Sequence, residues 1–183
     1  MRWLTLYARS RQVPMGLAAA LVTTFAVWSI TDGPNPRMAA LSLVAAIAVL
    51  ATGLTGQDSH LDRTAAIRWF PRRAAHVVLI AAAAGGLLLA FTTDLAPTTF
   101  VLRDSAGLAG LAALAAVAFG GIHAWTLPLA WLTIAIFIPQ SDDVPVHVLT
   151  WMLQEPDNTA AAWTAGVLAA IGTATYATAR LKR

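Results

Sequence analysis

Cysteine is absent from the chain of 183 residues, which excludes disulfides and thiolate metal sites and leaves thiol usage silent about the redox compartment. Charge is scarce too: Asp, Glu, Lys and Arg make up 11 % of the residues, against about a quarter in soluble domains. The sequence has no Gly-x-x-x-x-Gly-Lys loop, no His-Glu-x-x-His helix and no Gly-x-Ser-x-Gly elbow, so phosphate cradling, zinc hydrolysis and acyl transfer lack their groups. The expectation is a chain that is not an enzyme, with no catalytic residue, no metal site and no cofactor of its own.

What fills the chain instead is apolar. Hydrophobic residues make up 58 % of it and the mean hydropathy is +0.66. A hydrocarbon core ~30 Å thick takes about 20 apolar residues per helix. Six runs fit that length or approach it, at residues 14–31, 38–55, 74–93, 105–121, 124–139 and 159–179. The fold class expected is all-α: a polytopic membrane protein forming one transmembrane domain over 1–183. The first run follows Arg2, Arg9 and Arg11, but it is long and no small-x-small cleavage site comes promptly after it, which favours a span over a cleaved signal peptide.

Alternating the connections between two sides of a membrane places ten basic residues on one side: Arg2, Arg9, Arg11, Arg63, Arg68, Arg72, Arg73, Arg180, Lys182 and Arg183. Only Arg37 and Arg103 fall on the other. The positive-inside rule then puts both termini in the cytoplasm. Trp28 and Trp163 lie near the outer boundary, and Trp125 and Tyr176 near the inner one, as an aromatic belt would have them. The net charge of +3 is thus a matter of topology, and nucleic acid is not expected as a partner. Small residues, as in Ala81 to Gly86, Gly107 to Ala118 and Gly166-x-x-x-Ala170, allow close approach of helices in lipid. The spans as delimited carry no charge, so intramembrane proton or ion chemistry has no groups to work with.

Two connections stand out. Between runs two and three, Ser59 and Asp62 form a capping-box pattern and Pro71 is placed to end a short cytoplasmic helix, with Leu61, Ala65 and Trp69 on one side. Between runs five and six, residues 140–158 have an apolar centre (Val144, Val146, Val148, Leu149, Trp151, Met152 and Leu153) bracketed by acids and prolines. That stretch is too short to span and long enough for a re-entrant or interfacial helix.

Together these features resemble the membrane (permease) subunit of a type-2 ABC exporter. The segment Arg2 to Gln12 has Trp3, Leu6, Tyr7 and Ser10 on one helical face, like that family's amphipathic elbow helix. Trp69-Phe70-Pro71-Arg72-Arg73 is similar to the turn that follows its coupling helix. The resemblance implies a cytoplasmic coupling helix in which Asp58, Leu61, Asp62, Arg63, Ile67, Arg68 and Trp69 meet a separate P-loop ATPase, and an extracellular gate built by Val144, Val148, Trp151 and Met152. It further implies ATP and Mg on that partner, a second copy or a homologous permease subunit, membrane lipids around both, a hydrophobic or amphipathic cargo, and a bacterial plasma membrane. A non-transporting structural or accessory subunit is the alternative. A membrane-embedded lipid-modifying enzyme would have to draw on Asp142, Asp143, His147, Glu155 and Asp157, whose spacing matches no metal site.

Overall fold

The computed structural model describes residues 13–31, 33–54, 69–91 and 95–179. Among the described residues every regular element is helical. In chain order they are α1 (Val13–Ser29), α2 (Pro36–Leu50) prolonged by a 3-10 turn (Ala51–Leu54), α3 (Trp69–Phe91), α4 (Thr98–Phe119), a 3-10 turn (Gly121–His123), α5 (Thr126–Phe137), α6 (Val144–Leu149), a 3-10 turn (Trp151–Leu153) and α7 (Thr159–Thr178). Four of them are long and apolar enough to cross a membrane: Pro36–Leu54, Phe70–Phe91, Thr98–Phe119 and Thr159–Thr178. At 1.5 Å per residue these cover ~30 Å each. Helix α1, with 17 residues, is shorter, and α5, with 12, reaches only ~18 Å.

The helix starts follow local chemistry. Asn35 accepts a hydrogen bond from the Met38 amide at 3.2 Å, and Pro36 fills the first helical position, where its missing N–H is not needed. Asn158 caps α7 in the same way, accepting from the Ala161 amide at 3.0 Å. Gly120 ends α4 at φ +90°, a conformation that side-chain-bearing residues seldom adopt.

Two boundaries differ from the sequence expectation. Helix α3 takes in residues from Trp69 onward rather than from Ala74, so Pro71 lies within it, and the short helix expected ahead of Pro71 falls on residues outside those described. Helix α4 begins at Thr98 rather than Ser105 and takes Arg103 and Asp104 into its second turn. The uncharged interior expected of the spans therefore does not hold at α4.

The core lies around α4. Two of the four long helices are mostly enclosed, α4 with 72 % of its apolar window buried and α2 with 61 %, against 28 % for α3 and for α7. The most extensive neighbour of α4 is α7, and that contact is made through glycine. A methyl group at Gly110 would come 2.6 Å from Ala169 Cα, and one at Gly172 would come 2.6 Å from the Gly110 carbonyl carbon. Ala, with no side-chain rotamers to lose, fills much of the rest of the core, including Ala109, Ala112, Ala113 and Ala116 of α4 and Ala161 and Ala165 of α7. The Gly166-x-x-x-Ala170 pattern is not part of it: Gly166 faces open space, and the buried stripe of α7 runs through Ala161, Ala165 and Gly172. Outward faces are strongly apolar, with Met15, Val22, Val78, Leu79 and Trp163 each at least 60 % exposed, which suits a hydrocarbon surround.

Candidate functional site

Residues 138–158 build the most elaborate connection among the described residues. Pro145 stands in the first turn of α6, and the six-residue helix closes at Thr150, whose amide and hydroxyl both donate to the Val146 carbonyl, at 2.8 and 2.7 Å. The chain then turns inward, and Thr150, Trp151 and Met152 are completely buried. Gly107 makes this possible, because a methyl group there would come 2.6 Å from the Trp151 ring. The indole edge thus lies on bare α4 backbone, beside Ala165 of α7.

Arg103 holds this loop down. Its Nη1 donates to the Glu155 carbonyl at 2.8 Å and its Nη2 to the Gln154 carbonyl at 2.9 Å. Its Nε donates to Asp104 Oδ1 at 2.8 Å, in an ion pair whose side chains are 8 % and 0 % exposed. The Phe100 ring lies 5.1 Å below the guanidinium, within cation–π range. A planar five-donor fork serves two carbonyls and a carboxylate from three different nitrogens in fixed directions, where an ammonium would have to gather all three acceptors around one nitrogen. From the other side Trp131 Nε1 of α5 donates to the Leu149 carbonyl at 2.8 Å. Gln154 Nε2 reaches Gln140 Oε1 at 2.9 Å and Thr150 Oγ1 at 2.7 Å, and Asn158 Nδ2 lies 3.1 Å from His147 Nδ1. Two buried polar atoms here, Asp104 Oδ2 and Trp151 Nε1, make no hydrogen bond. Each such vacancy costs about 1–3 kcal/mol, so the seated loop holds uncompensated polar groups as well as good packing.

Above the loop a cleft of about 840 Å³ opens between Arg37 at the start of α2, Asp142, His147, Glu155 and Asp157. It brings together four of the five residues considered for a lipid-modifying centre; Asp143 instead accepts a hydrogen bond from Ser141 at 3.0 Å. Among the described residues no three His, Asp or Glu side chains converge as a metal site would require.

The four residues assigned to a gate divide into two pairs. Trp151 and Met152 are buried in the bundle, whereas Val144 (65 % exposed) and Val148 (36 %) sit on the surface of α6. Of the coupling-helix residues, Asp58, Leu61, Asp62, Arg63, Ile67 and Arg68 lie outside the described residues, as does the elbow segment, and Trp69 stands at the start of α3. At this far end of the bundle the structure adds two ties. The Tyr176 hydroxyl, buried, donates to the Leu54 carbonyl at 2.9 Å, and Arg73 Nη1 donates to the Ala179 carbonyl at 2.7 Å. Tyr176 is thus an internal strut and not the interfacial belt residue expected.

Sequence reasoning missed Arg103, Asp104 and Tyr176. A signal existed for the first two, since an Arg-Asp doublet wedged between apolar runs is costly in lipid unless paired. Comparison with protein-family models, with curated proteins and with solved structures finds no match for this chain.

Proposed function

We propose that the chain is the membrane permease subunit of an ATP-driven exporter, with six spans, both ends in the cytoplasm and the 140–158 loop on the outer face of a bacterial plasma membrane. The observation that supports this best is the Trp151–Met152 turn, an apolar plug seated in one end of an apolar helical bundle and tied there by a few side chains, Arg103 and Trp131 among them. A plug held by so few polar ties is suited to two positions. In this reading α1 and α5, too short to cross straight through an undistorted bilayer, do so with local thinning. ATP and Mg act on a separate P-loop ATPase that grips the segment containing Asp62, and a hydrophobic or amphipathic cargo passes between two copies or between this chain and a homologous subunit. The test is a tagged full-length chain purified from native membranes. A stoichiometric P-loop ATPase is expected, and its loss is expected in Asp62→Ala with Trp69→Ala. Recovery without any ATPase, under conditions that retain other subunits, overturns the proposal.

A second reading, a structural subunit with no transport path, is favoured by one feature: the α4–α7 contact at Gly110 and Gly172 leaves no passage along that seam within one copy. It predicts that the Asp62 and Trp69 substitutions leave export untouched while Gly172→Val abolishes assembly of the complex.

A further inference from the structure

Helix α7 touches both specialised ends of the bundle. At one end Tyr176 holds the Leu54 carbonyl and the Ala179 carbonyl receives Arg73, so the chain leaving α2 and the chain entering α3 are fastened to the last turn of α7 and the residue that caps it. At the other end Ala165 lies beside Gly107 in the contact that seats Trp151, and Asn158, which caps α7, bonds to the loop through Gln154 and His147. Between the two ends Gly172 rests on Gly110 backbone to backbone, with no side chain to absorb a shift.

We propose that α7 is a rocking lever pivoting at Gly110 and Gly172, that it couples the Leu54–Arg73 end of the bundle to the seating of Trp151, and that Tyr176 is its positioning residue. From the pivot, Tyr176 is four residues away and Ala165 seven, or about 6 and 10 Å along the axis. A tilt imposed at the Tyr176 end therefore appears at Trp151 enlarged and opposite in sense. Close-packed interfaces respond to such a tilt by switching between arrangements rather than by yielding. Here the two arrangements are Trp151 seated on Gly107 with Arg103 latched to Gln154 and Glu155, and Trp151 released. The inference goes beyond the exporter reading and does not need it, since a lever of this kind would serve an assembly subunit as well.

The natural absence of cysteine makes the test direct. Met152→Cys is introduced into the full chain in nanodiscs and its maleimide labelling rate is measured; Leu153→Cys gives the same readout if the first variant does not fold. Adding Tyr176→Phe, which removes only the hydroxyl, is expected to speed labelling about fivefold or more, the lower end of ordinary coupling between sites. Arg103→Ala, which frees the loop directly, speeds it in either background. A buried cysteine at Ala20 in α1, a helix that packs mainly on α2 and α3, is expected to keep its slow rate in Tyr176→Phe. By reciprocity, Arg103→Ala should raise labelling of Leu54→Cys at the other end. The lever is overturned if Tyr176→Phe leaves the rate at position 152 within about twofold while Arg103→Ala raises it. It is equally overturned if the rates at 152 and 20 rise together, which would mean general loosening. No ATPase takes part in the measurement, so its outcome is separate from that of the pull-down.

Discussion

Arg103 shows how much one side chain can be asked to hold. It neutralises Asp104, a buried carboxylate, and fastens two loop carbonyls. Removing one member of a buried pair leaves the other charge stranded, a loss of about 3–5 kcal/mol, whereas replacing both by apolar residues is often neutral or better. Arg103→Ala is accordingly expected to lower thermal stability in detergent strongly, and Arg103→Met with Asp104→Leu to recover most of it. Equal melting of Arg103→Ala and the natural chain would refute the latch. The plug residues separate just as clearly. Trp151→Ala, at a fully buried position, should cost about 3–5 kcal/mol, while Val144→Ala, 65 % exposed, should stay within about 0.5 kcal/mol. Of the four residues expected at a gate, Trp151 and Met152 are thus enclosed by the bundle, and Val144 and Val148 face outward from α6.

Among the elements, the crossing of α4 and α7 is the most constrained. Gly172→Ala would drive a methyl group into the Gly110 backbone, and overpacking of that kind costs about 1–3 kcal/mol or more, since backbone cannot rotate away. Gly166→Ala, with nothing within 4 Å, should be neutral or stabilising by up to about 1 kcal/mol through helix propensity. Thermal unfolding of the two variants in parallel decides the matter, and equal effects would show that the crossing lies elsewhere. The small-residue pattern in the sequence was legible as a packing signal, but α7 has Gly or Ala on most sides, and composition alone does not say which side meets α4. Helix starts show a similar limit. Those of α2 and α7 follow from Asn35-Pro36 and Asn158, whose capping chemistry is local. That of α4 was misplaced because Arg103 and Asp104 look like loop residues until the carbonyls that satisfy Arg103, some fifty positions away, come into view.

For the molecule as a whole, the outward apolar faces and four sufficiently long helices make a membrane the natural surround. The proposed orientation has its own check. Asp142→Cys should react with an impermeant maleimide in intact cells, and His123→Cys, exposed at the α4–α5 connection, only after permeabilisation. The reverse pattern would overturn the cytoplasmic placement of both termini and the ATPase reading with it.

The all-helical class and the order of the apolar runs, from which the bundle axis follows, were determined by sequence alone, because burial in hydrocarbon depends on length and hydropathy, which are one-dimensional properties. Rotation about that axis was decided only in three dimensions. Whether Gly166 or Gly172 faces α4, whether Tyr176 lies at an interface or inside, and whether a charged doublet ends a helix or latches a distant loop all depend on which neighbour arrives, and lipid, being as apolar as the helices, does little to choose between their faces.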